Sequence, residues 1–370
     1  MITRQQHSAM LMAVALVLSL YWPFSLFGAS NETDSSSITS SLFDLLIEPD
    51  LQELTITTDL VEFIENRKLG EYQSATITYQ GKNGVEVTMD VSLKARGKYR
   101  RRVCDFPPIK LKFRKRDLQV AGFNPEFNKL KMVTHCLDDK FDGNENVMKE
   151  YLMYKLYNEL TPESYRVQLA KITYIDSKGK LNKVKRYGFI IESTDQMAFR
   201  LGGTECECMN PKPEELVTAS ENRVALFQYM IGNEDWNTML NRNIKLVKPF
   251  YGGKMMIVPY DFDFAGAVDA AYAVPNKDLG LASVRDRFFQ GDLADDPVIR
   301  ANLEAFQRKR ANFSEIILNF KPMLKSSRLV LLEYIDGFYL QIDQLSTQKT
   351  DNLHRQLRAV SEADQPVGSR

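Results

Sequence analysis

The feature that most constrains the fold is the order in which two hydrophobic patterns occur along the chain. Alternating apolar and polar residues, interrupted by turn residues, predict β-hairpins at 73–93, at VQLAKITYID with KRYGFIIES, and at IKLV with KMMIVPYDFDF. Helical spacing occurs at 144–160 and 221–232, and the chain from about 297 onward is typical of helices. Strands that come first and helices that come last indicate an α+β protein, not a parallel doubly wound sheet.

The amino terminus has the pattern of a secretory signal. Arg4 gives residues 1–30 a positive start, an apolar stretch follows, and Gly28, Ala29 and Ser30 offer a small-residue cleavage point. An uncleaved membrane anchor is the alternative, because the apolar stretch is nearly long enough to span a bilayer. Both interpretations predict an exported protein that is periplasmic, at the cell surface or secreted. Contact with a membrane is expected only if the segment is uncleaved.

Composition divides the rest of the chain and excludes one class of partner. Residues 31–41 form a Ser/Thr-rich linker, residues 42–346 are expected to form one domain, and residues 347–370 form a polar tail. Lys+Arg and Asp+Glu both number 48, so the net charge is zero. This balance disfavours a broadly basic nucleic-acid-binding protein, and no nucleic-acid partner is expected.

Histidine and cysteine content narrows the possible chemistry. With 3 histidines the chain cannot build a metal centre from several His ligands. Its 4 cysteines, Cys104, Cys136, Cys206 and Cys208, predict disulfides in an exported protein. The sequence leaves all three fully paired arrangements open. A Cys₄ zinc site is an alternative, although the spacing matches no usual zinc pattern.

A strongly basic segment runs from Lys94 to Arg116. It reads LKARGKYRRRVCDFPPIKLKFRKR from Leu93 and contains one acid, Asp105. In PIKLKF the apolar side chains share one face of a strand, and Lys110 and Lys112 share the other. Lysines that project from a strand into a cleft can hold phosphate oxygens. A solvated basic face, or a face that binds anionic polymer, is the alternative interpretation.

Carboxylate and amide side chains recur in two later segments. NEDWNTMLNRNIKLV places Asp235 in a loop and Asn241 and Asn243 just before a strand, and MIVPYDFDFAG places Asp261 and Asp263 on one face at a strand end. Carboxylate and amide oxygens suit Mg²⁺ or Mn²⁺. A separate Asp beside a phosphate-bound metal can accept a hydroxyl proton. The alternative is that each residue only caps a turn.

These segments together resemble the CotH-like family, the spore-coat protein H type of atypical secreted or surface protein kinases. The similar pieces are ARGKYRRR with PPIKLKF, NVMKEYLMYKLYNEL, YGFIIESTDQM, GNEDWNTMLNRNIKLV and IVPYDFDFAG, in the order of the family. The resemblance implies a protein-kinase-like fold with an antiparallel sheet-rich N-terminal part and a mostly helical C-terminal part. It also implies ATP with Mg²⁺ or Mn²⁺ as cofactors, and a protein substrate at the cell surface or envelope.

The resemblance also implies a role for each residue that matches a family motif. Asp235 would be the catalytic base. The metal ligands would be Asn243, with Asn241 as the alternative, and the pair Asp261 and Asp263. The nucleotide-binding residues would be Lys110 or Lys112, Arg96, and Glu150 as the ion-pair partner of the lysine, with Glu192 as its rival.

The resulting functional hypothesis is an exported kinase that transfers the γ-phosphate of ATP to a protein hydroxyl with a divalent metal. Two alternatives remain open at this point. One is a catalytically weak pseudokinase, and the other is a surface protein that binds anionic polymer through its basic face.

Overall fold

Most of the strands in the described part of the chain form a closed barrel. The structure is a computed structural model that describes residues 40–47, 51–81, 84–346 and 352–363. The predicted signal segment lies outside the described residues. The strands are β1 (Gln52–Thr58), β2 (Gln73–Gln80), β3 (Glu86–Ala95), β4 (Ile109–Phe113), β5 (Lys129–Val133), β6 (Val167–Asp176), β7 (Val184–Ile191), β8 (Gly203–Cys206), β9 (Ile244–Pro249) and β10 (Met256–Pro259). Around the barrel the order is β1-β2-β3-β4-β5-β7-β6, and a second sheet has the order β10-β9-β8.

The prediction of a protein-kinase-like fold with an antiparallel sheet-rich N-terminal part is wrong. The barrel is mixed, because β1 pairs in parallel with β6, with Gln52 opposite Ala170, and this pair closes the sheet on itself. The other barrel neighbours are antiparallel. Alternation along one strand tells which face is buried, but it does not name a partner that lies far away in the sequence. The pairing of β1 with β6, which closes the barrel, could therefore not be predicted from the sequence pattern.

The local predictions of secondary structure are confirmed. The three predicted hairpins are the antiparallel pairs β2–β3, β6–β7 and β9–β10. The helices of the described residues are α1 (Leu42–Leu46), α2 (Leu60–Glu65), α3 (Arg100–Val103), α4 (Lys115–Val120), α5 (Lys140–Leu160), α6 (Thr194–Arg200), α7 (Thr218–Ile231), α8 (Asp296–Asn319), α9 (Lys325–Ser346) and α10 (Leu353–Ala363). Helices α5 and α7 coincide with the predicted helical segments. Periodicity over several turns is thus sufficient to locate these elements.

Part of the segment expected to be a polar tail is helical. Helix α10 occupies Leu353–Ala363, and the side chains of Leu353 and Leu357 are fully buried in a hydrophobic cluster with α8 and α9. The apolar residues recur four positions apart, so they lie on one helix face. None of the helices in the described ranges has both the length and the hydrophobicity needed to cross a bilayer.

The barrel interior is filled by apolar side chains that alternate with polar residues on its outer face. In β4 the side chains of Ile109, Leu111 and Phe113 are buried, and Lys110 and Lys112 point to the other face. This arrangement follows from the two-residue period of a strand, which sends alternate side chains to opposite faces. The lysines of β4 are consequently displayed outside the barrel, where a ligand can reach them.

The end of α7 is fixed by a glycine and positions the loop that follows. Gly232 has φ +63°, and its N–H donates to the carbonyl oxygens of Gln228 and Tyr229. A Cβ on Gly232 would clash with the hydroxyl group of Tyr334, and the left-handed φ would be strained for any residue with a side chain. Glycine is suited to such a left-handed helix end. The chain turns here and enters the segment that carries Asp235.

A disulfide joins the two segments that flank β4 and β5. Cys104 follows α3 directly, Cys136 precedes α5, and the two are bonded across a sequence separation of 32 residues. Cys206 and Cys208 form a second disulfide, across a separation of 2 residues. The first bond therefore closes a long loop, whereas the second closes a very short one.

Loss of the long-range disulfide should lower stability more than loss of the short-range one. Replacing Cys104 and Cys136 by serine should reduce the free energy of unfolding by ~3–4 kcal/mol, because a longer closed loop restricts the unfolded chain more. The measurement is a urea unfolding curve in an oxidising buffer. The matched control is the double variant Cys206→Ser/Cys208→Ser, and equal losses in the two variants would contradict the expectation.

Candidate functional site

A buried cluster of one guanidinium and three carboxylates lies beside a cleft. Nη2 of Arg100 is 3.0 Å from Oε1 of Glu150, 2.9 Å from Oδ1 of Asp261 and 2.6 Å from Oδ1 of Asp263. Nε of Arg100 also donates to Oδ2 of Asp263 at 2.7 Å. The side chains of Arg100, Glu150 and Asp263 are only 6%, 3% and 6% exposed, whereas that of Asp261 is 30% exposed. Asp261 is thus the most exposed carboxylate of this cluster.

Three distant parts of the chain supply this cluster. Arg100 begins the short helix α3 between β3 and β4, Glu150 lies in the middle of α5, and the two aspartates follow the end of β10. The backbone N–H of Asp261 donates to the hydroxyl oxygen of the buried Tyr154, also in α5, at 2.8 Å. Helix α5 therefore fixes Asp261 in two ways. Tyr154 accepts a hydrogen bond from the backbone of Asp261, and Glu150 binds Arg100, which in turn binds the side chain of Asp261.

Burial and charge act in opposite directions on the ionisable groups of the cluster. Burial raises the pKa of Glu150 and of Asp263, and the neighbouring positive charge of Arg100 opposes this rise only in part. Burial would lower the pKa of Arg100, but the surrounding carboxylates raise it well above its usual range. Arg100 therefore stays charged. With all three carboxylates ionised, the cluster carries one positive and three negative charges.

Asp235 lies on the same cleft and is held by two neighbours. Nδ2 of Asn243 donates to Oδ2 of Asp235 at 2.9 Å and to its backbone carbonyl oxygen at 2.6 Å. Nε of Arg242 lies 3.4 Å from Oδ1 of Asp235. Burial raises the pKa of Asp235, the positive charge of Arg242 lowers it, and the negative charges of Asp261 and Asp263 raise it further. The carboxylate is thus oriented, partly exposed and more basic than an ordinary aspartate.

Three residues of the cleft have left-handed backbone. The φ angles of Asn241, Asn243 and Asp261 are +47°, +52° and +65°. Asn and Asp adopt this region more readily than other side chains, but it remains uncommon outside glycine. Such conformations persist where surrounding contacts fix them, and they concentrate at functional sites. All three of these residues line the same cleft.

The cleft has a volume of about 530 Å³ and is lined by side chains of both charges. Its acidic and amide lining residues are Asp235, Asn241, Asn243, Asp261 and Asp263, and its basic ones are Arg96, Lys98, Arg100 and Arg242. A smaller pocket of about 280 Å³ shares Arg96, Gly97 and Lys98 with the cleft and is also lined by Lys94, Arg101, Lys110 and Lys131. Of the predicted nucleotide-binding lysines, Lys110 lines this pocket, whereas Lys112 does not.

The basic pocket contains a row of like charges. Lys94, Lys110 and Lys131 lie directly opposite one another on β3, β4 and β5. Like charges placed directly across neighbouring strands destabilise a sheet. Burial lowers the pKa of Lys110, and the nearby positive charges of Lys129 and Lys94 lower it further. An anion bound between these side chains would relieve the repulsion, so the pocket is electrostatically suited to a polyanionic ligand such as a chain of phosphates.

Lys131 is the most perturbed lysine of the row. Its Nζ donates to Oγ1 of Thr194 at 2.6 Å and lies 5.1 Å and 5.5 Å from the ring centroids of Tyr165 and Tyr260. Burial lowers the pKa of Lys131 to about 7, and the positive charges of Arg96 and Lys245 act in the same direction. The charge of this amine therefore changes near neutral pH, and an approaching anion would favour its protonated form.

Two predicted ion-pair roles differ from the observed contacts. Glu150 pairs with Arg100, not with Lys110 or Lys112. The rival Glu192 is fully buried and pairs with Arg166 and Arg200, so it belongs to a structural ion-pair network. Lys112 is exposed, and its Nζ lies 5.7 Å from the ring centroid of Tyr72. The predicted residues Asp235, Asn241, Asn243, Asp261 and Asp263 do converge on the cleft, together with Arg96.

The two candidate asparagines have different surroundings. Nδ2 of Asn243 is bonded to Asp235, whereas Nδ2 of Asn241 donates to the carbonyl oxygen of Cys206 at 3.3 Å. Oδ1 of Asn241 is buried without a partner in the described residues. Asn243 is therefore coupled directly to the candidate base, and Asn241 ties the cleft loop to the short-range disulfide.

Three residues that line the cleft or the basic pocket are not predicted as site residues from the sequence: Arg100, Lys94 and Lys131. Arg100 lies in a run with Arg101 and Arg102, and nothing in the run marks the one that is buried. The sequence does contain a signal for Lys131, because KLKMV in β5 has the same alternation of lysine and apolar residues as IKLKF in β4. Strand pairing then places the two segments side by side.

The donor set of the cleft fits a hard divalent cation. Asp261 presents a partly exposed carboxylate, and Asn243, whose amide nitrogen is bonded to Asp235, has an amide oxygen that could serve as a ligand. Mg²⁺ and Mn²⁺ prefer such oxygen ligands. The excess of carboxylates over Arg100 in the buried cluster adds negative charge close by. Residues and charge are therefore consistent with a metal held at the cleft side of Asp261.

A scan against protein-family models finds no family that matches this chain, and a search of curated proteins finds no match either.

Removal of Arg100 should cost far more stability than removal of an exposed arginine. Arg100→Met should lower the free energy of unfolding by ~3–5 kcal/mol, because it leaves buried carboxylates without a counter-charge. The loss should shrink as the pH is lowered from about 8 to about 5, because the variant then takes up protons on these carboxylates. Chemical denaturation at several pH values measures both effects.

The matched control is Arg114→Met. Arg114 and its partner Asp90 are 67% and 69% exposed, so the control should lose at most ~1 kcal/mol. Similar losses for the two variants, or a loss for Arg100→Met that grows on acidification, would contradict the assigned role of Arg100.

Proposed function

We propose that this chain is an exported phosphotransferase that moves the γ-phosphoryl group of ATP to a hydroxyl group of a protein, with Mg²⁺ or Mn²⁺ as cofactor. The resemblance to the CotH-like family suggests this chemistry, although the fold is not the protein-kinase-like one. Because unrelated folds can carry the same chemistry, support for this function comes from the residues of the site.

One observation carries the proposal: a cleft lined by oxygen ligands and a partly buried aspartate adjoins a pocket lined by a row of basic side chains, and the two share Arg96, Gly97 and Lys98. Phosphoryl transfer requires little else from a protein, because catalysis consists mainly of positioning and of charge stabilisation. Lys94, Lys110 and Lys131 would hold phosphate oxygens at the basic end. Asp261 and Asn243 would hold the divalent cation, which when bound neutralises the negative charge that develops on the transferred group.

Asp235 would orient the acceptor hydroxyl and accept its proton. It lines the cleft and also a neighbouring cavity of about 430 Å³ whose other lining residues include Phe264, Val274 and Pro275. A hydroxyl could reach the carboxylate through that cavity, which shares no lining residue with the basic pocket. Asn243 would keep the carboxylate in one orientation through its hydrogen bond. A raised pKa makes Asp235 a better proton acceptor than an ordinary aspartate.

The decisive assay follows transfer of labelled γ-phosphate from ATP to the protein itself and to a generic acceptor such as casein, with Mg²⁺ and Mn²⁺ tested separately. Asp235→Asn should lower the rate by ~10²–10⁴-fold, the usual contribution of a positioned acid–base group, and should leave nucleotide affinity nearly unchanged. Asp90→Asn, which removes an exposed carboxylate on the barrel surface, is the matched control.

The outcomes separate the alternatives. Full activity in Asp235→Asn would exclude the proposed base. A wild-type protein that binds ATP tightly but transfers no phosphate would favour the pseudokinase. Binding to an anionic matrix that falls steeply with salt and does not respond to ATP would favour the polymer-binding protein.

Nucleotide affinity should fall as the pH rises through about 7, because Lys131 then loses its charge. At pH ~8, one unit above the pKa of Lys131, only about a tenth of the Lys131 side chains are protonated. The affinity there should therefore be up to ~10-fold lower than under acidic conditions. Isothermal titration with ADP between pH ~6 and ~8.5 measures this dependence. Lys131→Met serves as the reference, because subtraction of its profile cancels the titration of the nucleotide itself. Parallel profiles of the two proteins would exclude Lys131 from the phosphate site.

A further inference from the structure

The guanidinium of Arg100 occupies the position that a metal ion would take among its three carboxylate partners. Glu150, Asp261 and Asp263 each offer an oxygen, and these atoms all lie within 4.8 Å of one another, as the ligands of one cation do. Nη2 of Arg100 lies within 2.6–3.0 Å of an oxygen from each of the three. A metal ion and this nitrogen cannot share the same space, so only one cation can fill the inner position.

Several contacts keep Arg100 in that position. Its side chain is 6% exposed, and Nε holds Asp263 through a second hydrogen bond. The backbone carbonyl oxygen of Arg100 accepts the N–H of Cys104 at 2.9 Å, and Cys104 is bonded to Cys136. Displacing the guanidinium would leave three carboxylates without their shared counter-charge, and the backbone that carries Arg100 is restrained by the disulfide. The inner cation is therefore part of the fold.

Three carboxylates surround one guanidinium, so the cluster offers more carboxylate oxygens than its internal cation occupies, and a divalent cation at its edge would find oxygen ligands there. Asp261 is the cluster carboxylate that is 30% exposed, against 3% for Glu150 and 6% for Asp263. Asp261 and Asn243 line the same cleft. The outer side of Asp261 is thus the place where a second cation can bind.

We propose that Arg100 is a permanent internal cation that replaces the inner metal of a two-metal phosphotransfer site, so that the cleft binds a single divalent cation at Asp261 and Asn243. Two-metal sites hold their ions about 3.5–4 Å apart and use both to neutralise charge. Here the guanidinium fixes the geometry of the carboxylates at the inner position. This inference rests on the divalent cation of the proposed function.

The test counts the Mn²⁺ ions bound per chain by electron paramagnetic resonance and by isothermal titration, with and without a non-hydrolysable ATP analogue. The wild-type protein should bind one Mn²⁺ with the spectrum of an isolated ion. Asp261→Asn should lower the affinity at least ~10-fold, the effect of losing one charged ligand. Two bound Mn²⁺ in the wild-type protein, or none under either condition, would overturn the inference.

Variants of Arg100 test the inner position directly. Arg100→Ala opens that position, and it should bind two Mn²⁺ whose spectrum shows spin coupling between neighbouring ions. Arg100→Lys keeps a cation there, and it should bind one. A folded Arg100→Ala protein that still binds one isolated Mn²⁺ would overturn the inference. If Arg100→Ala does not fold, the wild-type and Arg100→Lys stoichiometries decide, and two ions in either protein would exclude the internal cation.

The count of ions is independent of turnover. One Mn²⁺ per wild-type chain without any phosphate transfer would exclude the proposed activity and leave the role of Arg100 intact. Phosphate transfer with two ions per chain would leave the activity intact and exclude the role of Arg100.

Discussion

The contact of one buried guanidinium with three carboxylates determines the geometry of the whole cleft. Arg100, Glu150 and the Asp261/Asp263 pair come from three separate segments, and their side chains meet at 2.6–3.0 Å. Such a cluster adds little net stability, because burying each charge costs most of what the attraction returns. Its importance is geometric, because an arrangement with any one partner missing is strongly disfavoured. The segment after β10 therefore has one favourable position relative to α5.

The second constraint is the repulsion among the lysines of the basic pocket beside the cleft. Lys94, Lys110 and Lys131 face one another across three strands, and Lys131 reaches a pKa of about 7 because of burial and nearby positive charge. The barrel keeps these side chains outside its core, because the alternate positions of each strand fill the interior. An excess of positive charge thus lies beside an excess of negative charge in the cluster. A ligand that combines phosphates with a divalent cation matches both.

The sequence predicts those parts of the fold and site that depend on neighbours along the chain. The hairpins and helices α5 and α7 follow from periodicity, and Asp235, Asn243, Asp261 and Asp263 follow from their motifs. The parallel pairing of β1 with β6 depends on two strands that are far apart, so the barrel was missed. Arg100 has the same residue type as Arg101 and Arg102, and only its burial in the folded chain distinguishes it. The partner of Glu150 was missed for the same reason.

Asp261 and Asp235 have identical side chains but different surroundings. Asp261 touches the guanidinium of Arg100, is fixed through its backbone by Tyr154, and has a left-handed φ of +65°. It is consequently held in place and suited to a static role as a ligand. Asp235 contacts the neutral amide of Asn243 at 2.9 Å and only a more distant cation, Arg242, at 3.4 Å. Because burial raises its pKa while no close cation fully offsets that rise, it is the carboxylate suited to exchange a proton. In the proposed function, environment more than residue type therefore distinguishes the aspartate that would bind the cation from the one that would accept a proton.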